Sequence, residues 1–320
     1  MKHLVVVNPN SFFGKVSMDS VVRDIKQYFD SLKDSDYLIH ISRYPRDAIR
    51  ITKKYVDEKG FMDTVRVYSV GGDGVLYDCL NGVAGLPNTE LAVMPYGISS
   101  DFVRAFGDGD ISIFRDISKQ VNASTIPTDA ICLGKRYALN FCSVGIEATI
   151  MSKYYELKNR SPWLSKKLGK HYYMAGIPLA LLDKEFAGQK YEIEIDGEHF
   201  NDVYMGISFA NGPCYAGDKT PFPMAHPADG NLEAMFITSG VKLGMLFGAK
   251  SYLKGGYHKY PHTYKHMQAK SVFVRSDMPM RVVADGETSY ASEVRAHIVP
   301  GFVNVVAPDN LSYVVRQGNN

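Results

Sequence analysis

The run Gly71-Gly72-Asp73-Gly74 holds the residue types and spacing in this chain best suited to chemistry. A β-branched apolar stretch over 65–70 leads into it. An amphipathic pattern with Val75, Leu76, Cys79, Leu80 and Val83 on one side leads out. That order predicts strand, glycine turn, helix. Glycines let the backbone approach an anion closely, and a helix N-terminus behind them offers free N–H donors and a positive dipole end. An acid inside such an anion site is repulsive unless a divalent cation lies between, so Asp73 suggests a Mg2+-bound phosphate. The run is neither a Walker A loop nor a complete G-x-G-x-x-G fingerprint. A plain tight turn is the competing reading.

The elements that must position these residues follow from periodicity. Strands are expected over 4–7, 37–41, 65–70 and 91–94, with helices over 18–31, 45–58 and 75–83 between them. Alternating strand and helix with short links implies a parallel sheet with helices on its faces. Ligands bind such sheets beyond the carboxyl ends of the strands. Three informative turns fall there: Asn8-Pro9-Asn10-Ser11, Gly71–Gly74 and Pro95-Tyr96-Gly97. After residue 125 strand-like alternation dominates, over 137–143, 191–195, 203–210, 232–237, 272–275, 280–284 and 302–306. Helical patterns interrupt it over 148–158, 165–182 and 243–253. The expected fold is therefore α/β followed by β. A Rossmann-like three-layer α/β domain occupies 1–127 and an antiparallel β-sandwich 128–309, with the boundary around 126–129. A strand-like stretch over 311–315 is a candidate to return, so that 310–320 would complete the first domain.

Composition narrows the function classes. At 320 residues, 45% hydrophobic and 22% charged, this is an ordinary globular composition. A net charge of +2 predicts no strong attraction to nucleic acid or membrane as a whole, so any electrostatic role is local. Cys79, Cys132, Cys142 and Cys214 form no C-x-x-C pair, which suits reduced thiols in a cytoplasmic protein. The opening residues 1–9 hold only four apolar residues before a turn, too few for a signal peptide. No stretch reaches transmembrane length.

With these turns in place, the chain resembles the diacylglycerol kinase catalytic-domain family, specifically its soluble bacterial lipid kinases, to which sphingosine and ceramide kinases are related. The resemblance spans nearly the whole chain. It is carried by the three turns above, Asn81-Gly82, Asp101-Phe102-Val103-Arg104, Ser143-Val144-Gly145-Ile146-Glu147-Ala148, Asn211-Gly212-Pro213, Asp229-Gly230-Asn231-Leu232-Glu233 and Asp285-Gly286-Glu287, in that order. It implies a nucleotide-binding first domain, a β-sandwich second domain and an active site in the cleft between them. It also implies transfer of the ATP γ-phosphoryl group to the hydroxyl of diacylglycerol or a related lipid in phospholipid metabolism. Phosphoryl transfer depends mainly on positioning and charge neutralisation.

By the same resemblance, Asp73 helps hold the Mg-ATP phosphates, cradled by the amides of Gly71, Gly72 and Gly74, and Asp101 is the second acid. Asp101 also suits a helix N-cap. Asn8 and Pro9 border the nucleotide and Ser42 touches it, although Asn8-Pro9 also fits a simple turn. Val75, Gly97 and Ile98 stand in the nucleotide loops. Glu287 is the candidate general base toward the lipid hydroxyl, a role that a carboxylate fills if it lies within hydrogen-bond reach of that hydroxyl. Asp196-Gly197-Glu198 repeats that tripeptide where a two-residue hairpin turn is expected. Asp229 resembles the ligand of a structural Mg2+ loop, with carbonyls from His226 and Asn231; an Asp-Gly turn is the alternative.

The cations and aromatics of 151–171, including Lys153, Tyr154, Tyr155, Trp163, Lys166 and Lys167, suit an anionic lipid surface on the inner face of the membrane. A solvated helix face is the alternative. Lys15 is a further candidate for a phosphate or headgroup contact. Relatives imply a homodimer.

The chain departs from the family pattern at two positions. Val75 stands where Thr is usual, and Ile98 where Thr is usual in Gly-Thr-Gly/Ala-Asn-Asp-Phe. Each lost hydrogen bond to a charged group is worth roughly 1.5–3 kcal/mol. Two competing readings follow: a weak or inactive lipid- or nucleotide-binding relative, and a soluble-substrate kinase of the NAD-kinase type, which shares the glycine run.

Overall fold

In this computed structural model the described residues are 1–12, 16–97, 100–161, 172–180, 182–183, 188–217, 219–238 and 248–316. Lys15, Ile98, Lys166 and Lys167, as well as Trp163, lie outside them. The chain divides into two compact units. Met1–Asp129 with Pro300–Val314 forms the first, and Ala130–Val299 with the residues from Val315 on forms the second.

In chain order the elements are β1 (Lys2–Val7), α1 (Met18–Ser31), β2 (Asp36–Ile41), α2 (Asp47–Lys59), β3 (Val65–Gly71), α3 (Asp73–Val83), β4 (Thr89–Pro95), α4 (Ile117–Asn122), β5 (Ser124–Cys132), β6 (Tyr137–Ala138), β7 (Phe141–Gly145), α5 (Ile146–Arg160) and α6 (Tyr172–Ala180). They continue with β8 (Gln189–Ile195), β9 (Glu198–His199), β10 (Asp202–Ala210), β11 (Leu232–Thr238), β12 (Tyr264–Ala269), β13 (Ser271–Ala284) and β14 (Glu287–Ala307).

The first unit carries a parallel sheet in the order β4-β3-β1-β2. All seven residues of β3 are buried, as its continuous apolar run requires of a strand covered on both faces. On one face Val5, Val7, Tyr68, Val70, Ala92 and Met94 pack against Val21, Ile25 and Phe29 of α1 and Ile117 of α4. The four-residue spacing of those three α1 side chains lines one helix face. Ser17 caps α1 by accepting the N–H of Ser20 at 3.1 Å. Helix α2 packs against α3 at Gly82, where an added Cβ would lie 2.6 Å from the Thr52 Cβ. Asn304 and Val305 of β14 pair in parallel with Glu90 and Leu91 of β4, so residues 300–309 sit with the first unit.

The strands of the second unit pair antiparallel, in the order β12-β11-β10-β7-β13, with β8 against both β10 and β13. Four expectations need correction. The strand expected over 137–143 is broken into β6 and β7, because the Asp285 carboxylate takes the N–H groups of Leu139, Asn140 and Phe141. The two strands expected over 272–275 and 280–284 are one, β13, with a shift of register between Arg275 and Met280. Strand β14 starts at Glu287, well before residue 302, and β5 and β12 were not anticipated. Residues 311–315 form no strand. Instead, the Tyr313 ring packs on Phe106 at 4.6 Å, its hydroxyl bonds Thr128 at 2.6 Å, and the Val314 N–H donates to the Ala105 carbonyl.

Candidate active site

The carboxyl ends of β1, β3 and β4 bring three turns of the first unit together. The Gly71 carbonyl accepts the N–H groups of Tyr96 at 2.8 Å and Gly97 at 3.0 Å. A Cβ on Gly97 would lie 2.3 Å from the Gly72 Cα, so position 97 excludes any larger residue. Ser11 closes the third side: its Oγ accepts the Gly72 N–H at 3.3 Å. Asn8 sits at the end of β1, where its side chain accepts the Asn10 N–H and caps the short turn Pro9–Ser11.

Asp73 is the first residue of α3, and its Oδ1 accepts the Asp101 N–H at 2.8 Å. This bond ties the turn after β3 to the loop after β4 and brings the Asp101 backbone to the Asp73 carboxylate at the N-terminus of α3. Asp101 is buried and makes no side-chain capping bond to the short helix Phe102–Phe106, so the N-cap alternative does not hold. Val75 is buried with its Cγ1 against Gly71, and only its backbone is suited to a nucleotide. The Ser42 N–H continues the parallel ladder to Val7, and its Oγ, although shielded from solvent, has no hydrogen-bond partner among the described residues.

Beside Ser42 the entry to α2 is strongly polar. Arg46 takes the left-handed conformation, with φ 68°, and its guanidinium donates to Asp78 at 2.7 Å. Asp47 is fully buried. Burial would raise its carboxyl, but donors from His40, Arg50 and the Arg43 amide hold it well below the usual range.

These donors fit a Mg-nucleotide. Mg2+ is held through one or two carboxylates and substrate phosphates while keeping waters, and Asp73 and Asp101 supply two carboxylates beside glycine amides. Among the described residues no group of three or more His, Cys, Asp or Glu side chains forms a cage for a metal alone. A cavity of about 450 Å³ in the same unit is lined by Val103, Phe106, Ile111, Phe114, Lys119 and Leu311 and contains none of these acids.

In the second unit, Asp285 and Gly286 have φ of 44° and 86° and form the tight turn between β13 and β14, with Ala284 opposite Glu287. The repeated tripeptide does the same: Asp196 and Gly197, at 50° and 89°, join β8 and β9. Both aspartates also accept backbone N–H groups from elsewhere, but from different segments. Asp196 takes those of Lys270 and Ser271. Asp285 takes those of Leu139, Asn140 and Phe141 at 2.6, 3.1 and 2.8 Å. Asn140 in turn donates to the Cys214 carbonyl and accepts from the Asn211 and Gly212 amides, so the Glu287 turn rests on the Asn211-Gly212 motif.

Asp229 accepts the Asn231 N–H at 2.9 Å, and the Asn231 side chain donates to the Asp229 carbonyl. The His226 carbonyl accepts the Ala228 N–H. These bonds are those of a self-closed Asp turn. In the basic segment, Lys153 pairs with Glu156 and Asp183, Tyr154 is buried, and the Tyr155 hydroxyl lies by Gly286.

Glu147, which lies in the Ser143–Ala148 motif, received no role of its own from the sequence. It is buried at the start of α5, where it accepts hydrogen bonds from Tyr215, Ser208 and Tyr252, the last at 2.8 Å. Burial pushes its carboxyl up to about 7, against these donors, which favour the charged form. The available signal was a lone acid in the apolar run 141–151.

Comparison with known proteins identifies the two parts of the chain. Residues 2–133 match the diacylglycerol kinase catalytic domain, and residues 141–307 match the YegS C-terminal NAD kinase beta sandwich-like domain. Proteins of Staphylococcus aureus strains Mu3 and Newman named "Putative lipid kinase" are 23% identical over 280 residues, covering 85% of this chain and 87% of theirs. The crystal structure titled "a putative diacylglycerol kinase from Bacillus anthracis str. Sterne" superposes with a TM-score of 0.73 at 22% identity, over 97% of this chain and 98% of that one. Among the described residues no helix is long and apolar enough to cross a membrane.

Proposed function

Since the chain belongs to the diacylglycerol kinase catalytic-domain family, in the form carrying the YegS-type C-terminal domain, we propose that it transfers the γ-phosphoryl group of ATP to a lipid hydroxyl, that of diacylglycerol or a related lipid. The observation that carries this reading is the Asp101 N–H to Asp73 bond, formed where two glycine turns close on each other. It presents two acids beside backbone donors at a helix N-terminus, an arrangement suited to polyphosphate with its cation.

The lipid hydroxyl oxygen bonds to the γ-phosphorus, the bond from that phosphorus to the bridging oxygen breaks, and ADP departs with the electron pair. Glu287 takes the hydroxyl proton. Asp73 and Asp101 hold the cation side of the nucleotide, and the amide of Gly74, in the first turn of α3, faces its phosphates, whereas that of Gly72 is taken by the Ser11 Oγ. Mg2+, when bound, offsets the phosphate charge. Access to a bilayer-embedded substrate calls for a peripheral position at the inner membrane surface, for which Lys15, Lys166 and Lys167 are the cations proposed. A homodimer and a structural Mg2+ at Asp229 are proposed on the resemblance alone.

The test is phosphate transfer from labelled ATP and Mg2+ to mixed micelles carrying diacylglycerol, monoacylglycerol, ceramide, sphingosine or phosphatidylglycerol. A labelled lipid that disappears in Asp73→Asn is the expected result. No labelled product with any lipid overturns the reading.

A further inference from the structure

Ser100 combines two features that the fold does not explain. It is only 4% exposed, yet its Oγ has no hydrogen-bond partner among the described residues. Its backbone is also left-handed, with φ 49°, a conformation that costs an L residue free energy and that Gly or Asn adopts with less strain. A buried hydroxyl without a partner is unfavourable. Strain together with an orphaned polar group is the signature of a position kept for a ligand.

Its place in the chain indicates the ligand's chemistry. Ser100 immediately precedes the Asp101 N–H that bonds Asp73. We infer that the Ser100 hydroxyl donates a hydrogen bond to an anionic oxygen of the nucleotide's phosphate chain. This rests on the proposed use of ATP.

The test is calorimetric titration of the full chain with Mg-ATP and Mg-ADP, alongside melting temperatures. Ser100→Ala should weaken Mg-ATP binding about tenfold, as expected for a hydrogen bond to a charged group. Ser100→Gly should weaken it similarly while melting at or above the parent's temperature, because the strain is relieved. Ser100→Asn, which tolerates the backbone and regains a donor, should recover most of the affinity. If Ser100→Ala and Ser100→Gly both bind Mg-ATP like the parent, the inference is wrong while the kinase reading stands. If the parent itself binds no Mg-ATP, both fall.

Discussion

Asp73, Asp101 and Glu147 are all acids, yet their surroundings give them different work. Asp73 accepts a backbone N–H at a helix N-terminus, which favours its charge. Glu147 is enclosed by Tyr215, Tyr252 and Ser208, and burial raises its carboxyl from 4.5 to about 7. A carboxyl whose folded value is raised stabilises the fold fully below its unfolded value and loses that stability as pH rises through the folded value. Between pH 4.5 and about 7 the parent should therefore lose stability relative to Glu147→Gln, by up to about 3 kcal/mol. Urea unfolding of both proteins across this window measures the difference, and parallel curves would show that Glu147 does not titrate there. The sequence marked Glu147 as part of the Ser143–Ala148 motif and as a lone acid in an apolar run, without a role. Its partners are 61, 68 and 105 residues away, so their convergence was not legible.

At the scale of elements, the turn between β13 and β14 matters most. Asp285 both adopts the positive φ of the turn and accepts three N–H groups from the Leu139–Phe141 segment. It thereby fixes the start of β14, where Glu287 lies. Asp285→Asn keeps one acceptor oxygen and tolerates the backbone, but leaves part of this set unsatisfied. It should cost about 1–3 kcal/mol in unfolding free energy. In lipid phosphorylation it should lower kcat about tenfold with the KM for ATP unchanged, because the base is displaced and the nucleotide loops are not. An unchanged kcat in a measurably destabilised variant would remove Asp285 from the positioning of Glu287. The elements of the first unit were largely legible, since each strand is a short apolar run between amphipathic helices. The break at Leu139-Asn140 was not, because a carboxylate from residue 285 imposes it.

For the whole molecule, a net charge of +2 leaves recognition to local sites. A ligand that binds only the folded chain stabilises it by mass action, by about 2.7 kcal/mol at one hundred times its dissociation constant. Saturating Mg-ATP should accordingly raise the melting temperature by a few degrees, and EDTA should remove the increment. A melt insensitive to Mg-ATP would favour the weak or inactive relative. The alternating pattern of the first 125 residues was enough by itself to determine a parallel α/β unit with its glycine turns beyond the strands, because periodicity and glycine tolerance act within a few residues. The antiparallel character of the rest was equally local. Tertiary structure alone decided that Asp73 meets the amide of Asp101, which of two identical Asp-Gly-Glu turns rests on the Asn211-Gly212 motif, and that Ser100 is buried with no partner for its hydroxyl among the described residues. Those outcomes depend on contacts between segments far apart in the chain, and no local pattern encodes them.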